Sequence, residues 1–239
     1  MMRPVTLVVP CKNEALRLNP AAFREAIEEV PGLSLLFVDD GSTDATADVL
    51  AHLAESSPAI DALYLPQNLG KAEAVRAGIR HLLSAGGEGL VGFWDADLAT
   101  PLSEVRRFVQ AFGRDDRTEL VVGSRWPHLG ARIDRTIFRS CTGVFMKFLI
   151  RCVLTVPVYD TQCGAKVMTR ALAARLFERP FVSRWLFDVE LLRRMERRAV
   201  LRGVRELPLE DWRDVGGSKM TFRAAVFSVF DLFRIACAV

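Results

Sequence analysis

The chain has 239 residues, half of them apolar, and carries 32 Lys and Arg against 29 Asp and Glu, a formal charge of +3. That apolar fraction excludes a disordered chain, and the length suits one domain with a substantial core. Five cysteines, an odd number spread from Cys11 to Cys237 without a C-x-x-C, argue against a disulfide scaffold and for a reducing cytoplasmic setting.

In chain order, short apolar runs at 5–9, 35–38, 62–65, 90–94 and 120–122 read as buried strands. Between them lie helical patterns. Ala45, Val49 and Leu53 recur every four residues, as do Val75, Ile79 and Leu83, and Thr100-Pro101 opens another helix. Strand–helix alternation predicts a doubly wound, mostly parallel sheet of the α/β class. From about Gly130 the pattern changes. A helix-like stretch runs over 132–156, a turn-rich strand region over 160–168, a helix near 187–198, a strand at 204–209 and a Phe-rich helix from Lys219. No linker and no repeat divides the chain, so residues 1–239 read as one domain with a C-terminal elaboration. The run before Pro10 is too short for a signal-peptide core, and no stretch approaches about 18 apolar residues, so no transmembrane helix is expected.

The unusual polar residues fall at strand ends. Pro10-Cys11-Lys12-Asn13-Glu14 follows the first strand, Asp39-Asp40-Gly41-Ser42-Thr43-Asp44 the second, Gln67-Asn68-Leu69-Gly70-Lys71 the third and Asp95-Ala96-Asp97 the fourth. In a parallel sheet these points share the carboxyl edge, where open α/β folds bind ligands. Asp95 and Asp97 can hold a divalent ion against a diphosphate, since Mg²⁺ takes one or two carboxylates plus phosphates; a helix N-cap cluster before Pro101 is the plainer alternative. Capping explains Ser42, Thr43 and Asp44, but two successive aspartates at a strand end suggest that one of them meets a ligand. The G-x-G-x-x-G spelled by 87–92 precedes a strand instead of following one, and Gly70-Lys71 lacks the rest of a P-loop.

V-V-P-x-x-N-E, V-D-D-G-S-T-D, N-L-G-K and D-A-D, in this order, resemble the family 2 glycosyltransferases of the GT-A fold, a Rossmann-like sheet flanked by helices. Asp160-Thr161-Gln162-Cys163-Gly164-Ala165-Lys166, Trp185-Leu186-Phe187-Asp188-Val189-Glu190 and Trp212 with Gly217-Ser218-Lys219 are similar to the dolichyl-phosphate glucosyltransferase branch. The resemblance implies that Pro10, Lys12, Glu14, Val38 and Asp40 surround the nucleotide, with Lys71 also on the donor side. It implies that Asp95, Ala96 and Asp97 meet the diphosphate, Asp95 and Asp97 holding Mg²⁺ or Mn²⁺, and that Arg125 and Lys219 neutralise the donor's phosphates. Gln162, Lys166 and Asp188 would line the sugar and acceptor end. The implied reaction moves glucose from UDP-glucose to a polyprenyl phosphate, with mannose from GDP-mannose as the alternative. Ala99 departs from the glutamine common in mannosyltransferase relatives, and Ala165 from an aromatic residue common in glucosyltransferase relatives. Residues 1–125 would then be the nucleotide-sugar half, and 126–239 the acceptor-binding and membrane-facing half.

The charge distribution agrees. Residues 1–120 hold 11 basic against 18 acidic groups, whereas 121–239 hold 21 against 11. An acidic first half suits a metal site and a basic second half an anionic partner. Arg135, Arg139, Lys147 and Arg151 share one face of a helical projection, with Phe138, Phe145, Phe148 and Leu149 on another, as in C-terminal amphipathic helices that lie on a membrane. The expected location is therefore the cytoplasmic face of a membrane, held peripherally; an ordinary solvated basic face is the alternative. Arg135, Arg139 and Lys166 are candidates to escort an acceptor phosphate, with Ser140 beside them. A sugar hydroxyl acceptor would instead need a carboxylate base, for which Asp188 or Glu190 is available. A nucleotide-sugar-binding protein without catalysis is the non-enzymatic rival. Nucleic acid is not an expected partner, since no reader motif is present.

Overall fold

The computed structural model describes residues 2–115, 117–126, 128, 130–134, 150, 158–184, 186–197, 201–215 and 230–237. Nine strands are described: β1 (Val5–Cys11), β2 (Leu33–Asp39), β3 (Ile60–Tyr64), β4 (Leu90–Phe93), β5 (Leu120–Ser124), β6 (Arg132–Asp134), β7 (Lys166–Thr169), β8 (Val204–Pro208) and β9 (Asp211–Arg213). Helices α1 (Pro20–Glu29), α2 (Thr46–Glu55), α3 (Lys71–Ser84), α4 (Val105–Gly113), α5 (Arg170–Leu176) and α6 (Phe187–Arg197) lie between them.

Seven strands form one sheet in the order β3-β2-β1-β4-β7-β5-β8, and β6 pairs with β9 in a small second one. All pairings of the large sheet are parallel except those of β7, which runs antiparallel to both β4 and β5. The chain proceeds outward from β1 to β3 and then restarts on the other side with β4. That reversal makes a crevice between the carboxyl ends of β1 and β4, where such sheets take their ligands.

The core lies on both faces of the sheet, as successive strand side chains require. Leu7, Val9, Leu35 and Phe37 join Phe23 of α1 and Phe108 of α4 on one face. Val8, Leu36 and Val38 join Val75 and Ile79 of α3 and Phe187 of α6 on the other. Pro10 is accommodated because β1 pairs with β4 only as far as Val8, so no rung to β4 is lost.

Two elements differ from the sequence expectation. Helix α1 is not among the elements the sequence predicts, although Asn19 caps it by accepting from the Ala22 amide at 3.3 Å and Pro20 occupies its first turn. Residues 132–134, expected to begin a long helix, form β6 instead. Pairing with β9 and packing of Ile133 against the core decide that segment, and a three-residue strand carries no periodicity to announce it. The remainder of that stretch, apart from the buried Ile150, and the start of the Phe-rich helix lie outside the described residues. Residues 230–237 are helical, with Leu232 and Ile235 buried in the core and Phe230 and Phe233 exposed. Among the described residues, no helix is long and apolar enough to cross a membrane.

Candidate active site

The loops at the sheet edge are fastened to one another. Asn13 adopts φ +51°, a conformation asparagine tolerates, and its side chain accepts from the Thr43 amide at 2.9 Å. Ser42 and Thr46 in turn accept from the Asn13 and Glu14 amides at 2.9 and 2.8 Å. Lys12 donates to the Gly41 carbonyl. Asp39 accepts from the Ser42 amide at 3.0 Å, while the two oxygens of Asp40 accept from the Leu69 and Gly70 amides at 2.7 and 2.8 Å. The paired aspartates thus both have protein partners: one shapes its own turn and the other holds the N-L-G-K loop. Gly41 permits this, since it has φ +61° and a Cβ there would lie 2.6 Å from the Gln67 backbone. Val38 is wholly enclosed beneath α3, so its side chain belongs to the core.

Asp95 and Asp97 leave the end of β4 into the crevice. The Lys71 ammonium, on the first residue of α3, donates to Asp95 Oδ1 at 2.5 Å. Gly164 lies against the same carboxylate, so that a Cβ there would come within 1.9 Å of Asp95 Oδ2. Ala96 is buried between the two aspartates, and Leu98 takes φ +52°, an unusual conformation for leucine. That turn lets Asp97 accept from the Ala99 amide at 3.1 Å, with Arg17 at 3.8 Å from its other oxygen.

The two carboxyls diverge electrostatically. Burial works against ionisation of Asp95, but the charge and hydrogen bond of Lys71 outweigh it and hold the group below the ordinary carboxylate range. Burial and the neighbouring Asp95 charge push Asp97 above it. A hard divalent cation fits this pair: the donors are carboxylate oxygens, and like charges in one crevice are relieved by a cation. Among the described residues there is no group of three His, Cys, Asp or Glu side chains placed to hold a metal ion.

The second wall is built from the D-T-Q-C-G-A-K segment and α6. Lys166 is fully buried, donates to Asp188 Oδ1 at 2.5 Å and to the Cys163 carbonyl at 2.7 Å, and lies over the Phe93 ring. It therefore sits behind the crevice as the partner of Asp188, whereas the sequence had it escorting a phosphate. Arg125 forks onto Asp160 with two contacts of 2.7 Å and lies 5.6 Å from the Trp212 ring. Burial opposes the Arg125 charge, but Asp160 outweighs it and holds the guanidinium ionised. Asp160 is fixed in its turn by Glu206, which accepts from the Tyr159 and Asp160 amides at 2.7 Å each. Gln162 lies half-buried between these groups in sequence, and burial pushes the Cys163 thiol up to about 11, which leaves it protonated and unreactive at neutral pH.

One consequence is specific to Gly164. Its φ is ordinary, so alanine costs no backbone strain there, yet the added methyl must displace the Asp95 carboxylate. Gly164→Ala is expected to cost about 1–3 kcal/mol of stability, as overpacking does, and to reduce turnover by at least about tenfold, since the Asp95 carboxylate is forced out of place. Calorimetry paired with initial-rate kinetics checks both halves.

The sequence model of glycosyl transferase family 2 matches residues 6–177. The chain belongs to that family. As a family 2 glycosyltransferase it has close curated relatives. A dolichyl-phosphate beta-glucosyltransferase of Trichomonas vaginalis is 36% identical over 248 residues, covering 97% of this chain and 70% of the relative. The human protein of that description is 31% identical over 239 residues, covering 91% and 70%. Among solved structures, glucosyl-3-phosphoglycerate synthase of Mycobacterium tuberculosis, in complex with Mn²⁺, UDP-glucose and phosphoglyceric acid, superposes with a TM-score of 0.74. It covers 99% of this chain and 80% of that one at 20% identity, which establishes a common GT-A fold.

Within this glycosyltransferase the structure brings together Lys71, Asp95, Ala96, Asp97 and Gly164 directly, with Lys166 and Asp188 behind them. Arg125 borders the site through Asp160. Arg135, Arg139, Ser140 and Lys219 lie outside the described residues. Arg17 and Glu206 were missed by sequence reasoning. Arg17 contacts Glu14 at 3.4 Å as well as Asp97, and neither arginine nor Glu206 belongs to a recognisable motif.

Proposed function

We propose that this glycosyltransferase moves a glucosyl group from UDP-glucose to a polyprenyl phosphate of the dolichyl type, with Mg²⁺ or Mn²⁺ held by Asp95 and Asp97. The observation that carries the reading is the contact of Gly164 with Asp95, which sets the D-T-Q-C-G-A-K segment, whose sequence resembles that of dolichyl-phosphate glucosyltransferases, against the D-A-D carboxylates. The names of the curated relatives support glucose and dolichyl phosphate, and the bound groups of the mycobacterial structure support UDP-glucose and Mn²⁺.

Pro10, Lys12, Glu14 and Asp40 would frame the nucleotide at the carboxyl edge, Val38 contributing backbone alone, and Lys71 and Lys219 would face its phosphates. The bound cation would supply Lewis-acid stabilisation of the departing diphosphate. An acceptor phosphate oxygen attacks the anomeric carbon, the bond from that carbon to the UDP oxygen breaks, and its electron pair leaves with UDP. The acceptor needs no protein base, because a phosphate monoester has a second pKa of about 6 and is already an anion at neutral pH. Arg135, Arg139 and Ser140 are the groups to receive it. Displacement from the face opposite UDP inverts the anomeric centre and gives a β-linked product. Residues 1–125 form the donor half in this reading. Residues 126–239 form the acceptor half, held at the cytoplasmic face of a membrane by the basic and Phe-rich stretch around 135–152.

The test is a donor-by-acceptor assay with short polyprenyl phosphate, Mg²⁺ or Mn²⁺, and labelled UDP-glucose or GDP-mannose. Label from UDP-glucose is expected in the organic phase and is expected to vanish with EDTA. Label from GDP-mannose alone would replace the sugar, and UDP-glucose consumption only with added free sugars would overturn the lipid acceptor.

A further inference from the structure

The Lys71 ammonium and a divalent cation have the same target. Lys71 holds Asp95 Oδ1 at 2.5 Å, and the backbone of Gly164 packs beside Oδ2, while the Asp95 side chain stays 36% exposed to the crevice. Asp97, in contrast, has Arg17 no nearer than 3.8 Å. A metal ion taken up by the Asp95–Asp97 pair comes close to this ammonium, and two cations on one partly buried carboxylate repel each other strongly.

The lysine's backbone has no freedom to retreat. Asp40 grips the Leu69 and Gly70 amides, α3 begins at Lys71, and the Arg184 guanidinium donates to the Leu69 and Asn68 carbonyls at 3.2 and 3.3 Å. Only the side chain can move. Its four-carbon stem and compact ammonium suit a swing from a carboxylate to a nearby phosphate oxygen.

We propose that Lys71 is a displaceable counter-ion of Asp95, which a divalent cation must expel and which a nucleoside diphosphate then receives. The inference rests on the proposed metal role of Asp95 and Asp97. It makes Lys71 a coupling device. The diphosphate gives the expelled ammonium a new partner, so diphosphate and cation strengthen each other's binding, and by linkage they do so reciprocally. Without the ammonium the cation reaches Asp95 unopposed, and the mutual strengthening shrinks.

The test is a Mn²⁺ titration of the full chain, read by the electron paramagnetic resonance signal of free Mn²⁺, with and without UDP. Lys71→Met is expected to bind Mn²⁺ alone about tenfold more tightly than the wild type, equivalent to ~1.4 kcal/mol, and to show a smaller enhancement by UDP. Lys71→Gln, which keeps a polar end but no charge, is expected to behave alike and serves if the methionine variant folds poorly by calorimetry. Unchanged or weaker Mn²⁺ binding in both variants, with Asp97→Asn abolishing it, would overturn the counter-ion role while the metal site stands. Wild-type Mn²⁺ binding in Asp97→Asn would overturn the metal site and this inference together.

Discussion

Asp97→Asn is expected to lower glucosyl transfer by about 10²–10³-fold or more, the range found when one group that stabilises developing charge is removed. The amide keeps the shape of the carboxyl and its contact with the Ala99 amide, but loses the charge that a divalent ion requires. Stability is expected to move the other way. Asp97 is held above the ordinary carboxylate range by burial and then by Asp95, so its ionised form is disfavoured in the folded protein. Between the ordinary value of 3.8 and the raised folded value, the folded state binds more protons than the unfolded one, and stability contributed by this group falls as pH rises. The Asn variant lacks that loss. In EDTA its melting temperature is expected to match the wild type below about pH 4 and to exceed it near neutrality. A variant that is less stable at neutral pH would show that Asp97 has an ion-pairing role that its repulsion by Asp95 does not express.

The largest stability effect is expected at Lys166 and Asp188. Their side chains are 0% and 8% exposed and 2.5 Å apart, so either one alone would be a charge in an apolar surrounding. Breaking such a pair by removing one partner costs about 3–5 kcal/mol, whereas replacing both by apolar groups of similar volume is often close to neutral. Lys166→Met and Asp188→Asn are each expected to show that loss in urea unfolding, and Lys166→Met/Asp188→Leu to recover most of it. The double variant also carries the kinetic question. Asp188→Asn by itself confounds lost chemistry with lost folding, because it strands the buried ammonium. Removing a general base costs about 10²–10⁴-fold, so a folded double variant that keeps transfer within about tenfold of the wild type has no base at Asp188. A folded double variant without transfer would favour a hydroxyl acceptor, and with it a different reaction from the one proposed.

The first half of this enzyme is readable in the sequence because its signals are local. Five apolar runs separated by helical periodicity predicted the parallel strands, and polar clusters directly after β1, β2, β3 and β4 predicted a shared edge. Helix α1 also carries a local signal, since Asn19-Pro20 is a capping pair and Phe23, Ala26 and Val30 follow at helical spacing. The antiparallel insertion of β7 between β4 and β5 was not readable. Its four residues look like any buried strand, and direction depends on where the chain re-enters the sheet.

What the sequence by itself determined is the inventory: a GT-A sheet, a D-A-D pair at a strand end, and family 2 motifs in order. Tertiary structure decided which of those groups meet. Lys71 is drawn to Asp95 from 24 residues away, and Asp188 reaches Lys166 across 22. Asp40 closes on a loop 29 residues downstream, and Arg125 on Asp160 across 35. These partners share no period and no motif. They meet because β2 lies beside β3 and β7 lies between β4 and β5 in the sheet, and because a buried charge left unpaired there would cost several kcal/mol. Residue type can announce that a charge will need a counter-ion; only the packed chain assigns it one.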